Sequence, residues 1–514
     1  MDKNSVYERF EKLESKKKIS EEDIKKIHET GKLTAEERIQ ELFDDSTFEN
    51  TDLWIKNRCT NFGLDKKETR NEGVVVGFGK INGRTVCGYA NDSTVMGGSL
   101  GEAQGIKICN MLDLAMKSGV PIVGLSDAAG ARIQEGVAGL HGYCSVFGKT
   151  SVASGWIPQI TVIMGTSAGG TAYAAALTDF IIIVNPTGKM FITGPAVIKA
   201  VTGEEVTFDQ LGGSTVHGTK TGLAHFVVNS EEEAFQLTRR LLSFLPANSK
   251  EKPPEYLCED PVERLTPQVK DLLPEGPNKG YDMKDIIRAT VDNADFFEVQ
   301  EGFARNMVVG FARMKGKTVG IVANQPKVLA GCIDIDASWK AARFVRFCDS
   351  FNIPLLTFAD CPGYLPGVSQ EHNGIIRNGA KMLFSYSEAT VPKIKIVVRK
   401  DYGGAYSAMC GKGLGADFVV AFPTAEIAVM GAEGAANIVF KQEIEKADNK
   451  EEKRREMIAA YEEEYLNPYK AAEYGIVDDI IDPARLRQKL IAYLDILADK
   501  DIPTPYKKHS NIPL

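Results

Sequence analysis

Short β-branched runs and longer stretches of helical spacing alternate along this chain, and residues 160–177 show the unit most plainly. They read ITVIMGTSAGGTAYAAAL: an apolar run to Met164, a turn of small residues from Gly165 to Gly170, then an alanine-rich segment ending at Leu177. This pattern predicts strand, tight turn and helix. It returns in the second half of the chain, where the apolar run from Ile394 to Val398 leads into Tyr402, Gly403, Gly404, Ala405 and Tyr406.

Around these two turns the alternation is consistent. From Val74, VVVGFGKINGRTVCGYAN predicts a hairpin about Asn82-Gly83. A helix over 100–117 follows, then a strand over 122–125 that ends at Asp127, a glycine-rich loop, and a helix from Gln134. Strands alternating with helices make the fold α/β, with a parallel or mixed sheet covered by helices. Residues 6–43 place Val6, Phe10, Leu13, Ile24 and Ile27 at helical spacing among many charges, and Thr34 with Glu37 forms a capping box. This predicts a helical arm, residues 1–45, that packs on another surface. A charged stretch over 442–464 reads as a helix with a solvated face.

The strongest internal signal is a repeat. VGFGKINGRTV at 76–86 matches VGFARMKGKTV at 309–319, and at one unchanged offset Gly98 matches Gly331, Pro121 matches Pro354, Asp127 matches Asp360 and Gly130 matches Gly363. Further on the offset drifts by a few residues, as loop insertions cause. The chain is therefore two copies of one domain. Pro246, Pro253, Pro254, Pro261, Pro267, Pro274 and Pro277 mark a linker between them. The expected boundary is near 275, giving domains 1–275 and 276–514.

Composition removes several classes. A chain of 514 residues, 43% hydrophobic and 25% charged, is long enough for two globular cores. A net charge of −8 argues against nucleic acid as a partner. Apolar runs such as 180–184 fall far short of the roughly 18 to 20 residues that span a bilayer. The charged N-terminus lacks an apolar signal core, so the cytoplasm is the expected location. Nine cysteines without C-x-x-C and six histidines without ligand spacing suggest neither a disulfide framework nor a metal site.

Helix first-turn N–H groups lack intrahelical partners and sit at the positive end of the dipole, where they can hold a developing negative charge. Gly169 and Gly170 leave the approach open. Two such turns suit a reaction in which charge appears on two carbonyl oxygens and no side chain is the nucleophile. Another chemistry is open here: Gly165 to Gly169 satisfies G-x-S-x-G, the elbow of a serine hydrolase with Ser167 as nucleophile. The matching place in the second copy is Asp401, so the repeat keeps the glycines and discards the serine. A P-loop-like stretch at 142–150 has the wrong glycine spacing. Asp127 and Asp360, each before a glycine-rich turn, could be general bases or loop-capping carboxylates.

At these residues the chain resembles the carboxyltransferase (β) subunits of biotin-dependent acyl-CoA carboxylases, of the propionyl-CoA carboxylase and methylmalonyl-CoA decarboxylase type. The resemblance rests on GKLTAEERI at 31–39, NRCTNFGLDKKE at 57–68, ARIQEG at 131–136, FITGPAVIKAVTGEEVT at 191–207, VGIVANQP at 319–326, TAEIAVMGAEGAANIVFK at 424–441 and the final KKHSNIPL. It implies two tandem crotonase-like (ClpP/crotonase) domains and a hexamer. It also implies carboxyl transfer between carboxybiotin and a short acyl-CoA, in either direction. Carboxybiotin would release CO2, its ureido oxyanion would take the α-proton of the thioester, and the enolate would attack CO2.

Carried over by position, Gly169 and Gly170 would serve the thioester oxyanion, and Gly404 and Ala405 the biotin carbonyl. Gly130, Ala131, Arg132 and Thr171 would meet acyl-CoA, and Gly363, Tyr364 and Gly403 would line the biotin side. With no Met-Lys-Met biotin site in this chain, biotin would ride on a partner. That partner would be a biotin carboxylase and carrier subunit, or membrane decarboxylase subunits that bring the chain to a membrane. Several positions depart from the family: DAAGARIQEG for DSGGARIQEG, GTSAGG for GPCAGG, QEHNGIIRNG for QEYGGIIRHG, and RKDYGG for RKAYGG. These departures are expected to bear on acyl-chain choice or biotin docking, through Thr171, Ala175, Ser407 and Asp401.

Overall fold

Valine- and isoleucine-rich runs bounded by glycine become the strands of two eight-stranded sheets, one in each half. The computed structural model describes residues 3–67, 69–276 and 278–513; Glu68, Pro277 and Leu514, which fall in stretches quoted above, lie outside the described residues.

In the first half the strands are β1 (Glu49–Asn50), β2 (Val74–Ile81), β3 (Arg84–Asn91), β4 (Ile122–Ala128), β5 (Gln159–Ala168), β6 (Phe180–Val184), β7 (Lys189–Phe191) and β8 (Phe226–Val228). They pair in the order β1-β2-β3-β4-β5-β6-β8, with β7 on the far end of β5. The β2–β3 hairpin turns at Asn82 and Gly83, both at positive φ (51° and 74°), as a two-residue I′ turn requires. From β3 onward the ladder is parallel. Every residue of β4 is buried, which is why it reads as a continuous run rather than an alternation.

The second half repeats this plan. Its strands are β9 (Phe296–Val299), β10 (Met307–Met314), β11 (Lys317–Asn324), β12 (Leu355–Cys361), β13 (Lys393–Tyr402), β14 (Phe418–Ala421), β15 (Glu426–Ala428) and β16 (Asp479–Ile480). They run β16-β14-β13-β12-β11-β10-β9, with β15 on the far end of β13. Each sheet closes its own apolar core.

Three features differ from the sequence reading. The compact units divide after Glu251, and residues 252–275 belong with the second half. Tyr256 N–H donates to Gly316 O at 3.0 Å, and Thr266 N–H to Ala484 O at 2.7 Å. The prolines thus mark where regular structure lapses, not where the chain changes partners. In the arm, helices Lys3–Ser15 and Glu21–Glu29 bury none of their residues. The capped helix Ala35–Leu42, however, buries Ala35, Arg38, Ile39 and Leu42 and is part of the first core. The charged stretch is two helices, Lys441–Lys446 and Lys450–Tyr465, and the latter seats Tyr461 against Ala432 and Ala435.

Candidate active site

The two glycine turns are built alike. β4 and β5 stay in register to Ser126–Ile163, then slip to Ala128–Ser167; β12 and β13 slip in the same way, from Ala359–Val397 to Cys361–Asp401. Past the bulge each long strand keeps β4 or β12 on one edge, and on the other it passes from β6 or β14 to β7 or β15. At that end Gly169 (φ 57°, ψ −121°) and Gly403 (φ 54°, ψ −128°) adopt a conformation that essentially only glycine reaches. Helices Gly170–Ala176 and Gly404–Ala408 start directly after them.

The glycine at each corner has its own N–H already engaged: Gly169 donates to Phe191 O and Gly403 to Ala428 O, both at 3.0 Å. The next amides, Gly170 and Thr171 in one copy and Gly404 and Ala405 in the other, belong to the helix first turn, where intrahelical partners are lacking. The Gly169 N–H, expected as a donor, is therefore already engaged, and the conformation of Gly169 sets the direction of the Gly170 peptide N–H.

A tyrosine lies against each turn. A β-carbon at Gly170 would stand 2.7 Å from the Tyr143 ring, and one at Gly404 would stand 3.3 Å from the Tyr364 ring. Tyr143 Oη and Thr171 Oγ1 share a hydrogen bond of 2.6 Å, and these two line a small pocket with Ser126, Ala128 and Ala175. Tyr364 Oη is buried and, among the described residues, has no hydrogen-bond partner. Burial pushes both phenols up to about 12, so both are neutral near pH 7. Sequence reading found Tyr364 through its loop but missed Tyr143, whose only local signal is the Gly142-Tyr143 pair on the helix packed against the turn.

The aspartates at the bulge are held by cations. Asp127 accepts from Lys32 at 2.8 Å and Arg38 at 3.3 Å. Asp360 accepts from Arg399 at 3.0 Å, Tyr281 at 2.8 Å and the Lys400 N–H at 3.1 Å. As for the loop-capping reading, among the described residues only Asp360 shows a backbone N–H bond, from Lys400, whereas Asp127 is held by side-chain cations. Ser167 is 0% exposed and shares its hydroxyl bond with Ser126 at 2.8 Å. A nucleophile needs a base and access to substrate, so the serine hydrolase alternative fails on geometry.

The two loops also repeat. Leu100 N–H donates to Gly130 O at 2.8 Å and Arg132 N–H to Leu100 O at 2.9 Å; Ile333 N–H to Gly363 O (3.1 Å) and Leu365 N–H to Ile333 O (2.8 Å) are their counterparts. The Arg132 guanidinium turns inward, to Glu135 at 3.0 Å, Glu72 at 3.3 Å and the Ser99 carbonyl at 3.1 Å. It braces the loop from within, where Gly130 is buried and Ala131 half-buried, and spends its own charge on the two carboxylates. Beyond these loops Ile133 and Val137 in the first unit, and Val368 and Ile376 in the second, are exposed apolar residues.

With this geometry in view, comparison with known proteins is specific. The model of the carboxyl transferase domain family matches residues 26–512. The methylmalonyl-CoA decarboxylase subunit alpha of Propionigenium modestum is 52% identical over 96% of this chain and 95% of its own length. The propionyl-CoA carboxylase carboxyltransferase subunit of Haloferax mediterranei is also 52% identical, over 98% of each. The crystal structure of the transcarboxylase 12S hexamer, with methylmalonyl-CoA and methylmalonic acid bound, superposes with a TM-score of 0.96 at 48% identity, covering 99% of this chain and 98% of that one.

Proposed function

The chain belongs to the carboxyl transferase family, and from that premise we propose that it moves a carboxyl group between biotin on a partner protein and a short acyl-CoA of the propionyl and methylmalonyl type. The observation that carries this reading is the repeated turn: two helix N-termini of one design, each aimed by a glycine at positive φ. Such turns can stabilise negative charge on two carbonyl oxygens, at about 2.7 to 4 kcal/mol per donor.

In this proposal the Gly170 amide, aimed by Gly169 and backed by Thr171, receives charge on the thioester oxygen. Gly404 and Ala405 receive charge on the biotin ureido oxygen. Bound biotin supplies a ureido nitrogen that carries the carboxyl group and a ureido oxygen that becomes basic when the group leaves. The residues present fit it: the Gly404 and Ala405 amides open the second helix, and Gly363 leaves its loop clear, since a β-carbon there would have no neighbour within 4 Å. Tyr143 and Tyr364 wall the turns with apolar rings, which strengthens hydrogen bonds there by excluding water. The backbone of Gly130 and Ala131, braced by Arg132, meets the CoA moiety.

The partner is a biotin carrier with its carboxylase, or membrane decarboxylase subunits. The transcarboxylase hexamer and the exposed apolar residues beside both loops support a hexamer here. Among the described residues no helix is long and apolar enough to cross a membrane, and we assign the chain to the cytoplasm.

Purified protein given carboxyl-labelled methylmalonyl-CoA and free biotin is expected to release label only when biotin is present. The Ser167→Ala variant is expected to keep its rate within about threefold, because that serine only bonds Ser126. Label release independent of biotin, or none from any of carboxyl-labelled malonyl-, methylmalonyl- and ethylmalonyl-CoA, would defeat the proposal.

A further inference from the structure

The two turns match in backbone but not in what lies beneath them. Asp401 sits two residues before Gly403, opposite Cys361, at the ladder position that Ser167 holds opposite Ala128 in the first copy. Lys395 sits opposite Thr357, where the first copy has Thr161 opposite Gly124. Asp401 Oδ2 is 2.7 Å from Lys395 Nζ, and both side chains are 0% exposed. The same ammonium donates to the carbonyl of Tyr406 at 2.8 Å and lies 4.6 Å from the centre of its ring.

Tyr406 belongs to the helix that Gly404 begins. The ammonium thus ties the last residues of β13 to the body of that helix, with the Gly403 corner held between two fixed points. In the first copy neutral hydroxyl bonds occupy these positions, Ser167 to Ser126 at 2.8 Å and Thr178 to Thr161 at 3.2 Å. A fully buried ion pair is a poor source of stability, since desolvation offsets most of the attraction, and neutral residues of similar size commonly do as well. The first copy shows that this fold needs no such pair to close its turn.

We propose that Lys395 and Asp401 are positioning residues for the second turn, fixing Gly404 and Ala405 for the oxygen of biotin and making the two copies non-interchangeable. The inference rests on the reading that the second turn serves biotin.

The test copies the first unit into the second. The double variant Lys395→Thr/Asp401→Ser removes both charges together and so leaves no lone buried ion. Its melting temperature is expected to stay close to that of the parent. The KM for acyl-CoA should be unchanged, while kcat with free biotin falls about tenfold or more and the KM for biotin rises. A kcat and a biotin KM both within about twofold of the parent would overturn the proposal. A rise in the acyl-CoA KM alone would also overturn it, and would show that the second turn serves the thioester instead. Should the double variant fail to fold, Asp401→Asn, which keeps the shape and removes the charge, is read by the same kinetic criteria.

Discussion

Gly403→Ala and Gly169→Ala are each expected to lower carboxyl transfer by about a hundred- to a thousandfold, the loss typical when an oxyanion-hole donor goes missing. Space is not the reason at Gly169, where an added β-carbon would meet only the Ile192 carbonyl at 3.7 Å. The reason is backbone conformation. An alanine held at φ 57°, ψ −121° costs about 1 to 3 kcal/mol, and relaxing toward negative φ rotates the peptide whose N–H is that of Gly170. At Gly403 a β-carbon would also stand 2.9 Å from the Val429 carbonyl, adding a clash to the strain. Gly404→Ala is the control, because that residue begins the helix, has no positive φ and would only press the Tyr364 ring edge at 3.3 Å. Turnover of both corner variants should collapse while Gly404→Ala loses far less; equal losses at 403 and 404 would point to crowding rather than to aimed amides.

The largest loss of stability is expected from Arg38→Leu. Arg38 is 1% exposed and bidentate to Glu231, at 3.0 and 2.6 Å, with a third bond to Asp127 at 3.3 Å. Removing it leaves Glu231 buried without a cation, a change that costs about 3 to 5 kcal/mol. Asp127 keeps Lys32, so the damage centres on the packing of helix Ala35–Leu42 against the sheet. Urea unfolding should show the drop, and Arg38→Leu/Glu231→Leu should recover much of it because no lone charge remains. A double variant no better than the single would mean that the ion pair itself, not the stranded charge, supplies the stability.

Much of this was legible in the sequence because a repeat compares a chain with itself. Pairs such as Asp127 with Asp360 and Gly130 with Gly363 gave both sheets and both turns before any coordinate was needed, and the structure places them at matching bulges and loops. What stayed hidden depends on segments distant in sequence. Gly169 reads as an open donor until β7 brings the Phe191 carbonyl to its N–H. Arg132 stands in the loop expected to meet acyl-CoA, and nothing nearby in sequence shows that Glu72 and Glu135 take up its guanidinium. Lys393 and Lys395 alternate with isoleucines like one solvent-facing edge of a strand, yet both are buried. Lys393 is satisfied by the carbonyls of Tyr386 and Ala389 at 2.7 Å each, and Lys395 by Tyr406 and Asp401. Charge burial of this kind is decided by tertiary partners, which local patterning does not carry.

The most direct measurement deletes single N–H groups and nothing else. Replacing Gly170 by glycolic acid, and separately Ala405 by lactic acid, turns one amide into an ester while the side chain is kept. With folding and acyl-CoA affinity unchanged, biotin-dependent carboxyl transfer is expected to fall about a hundredfold or more at either position. Turnover within about threefold of the parent at both would contradict the claim that these backbone amides carry the chemistry.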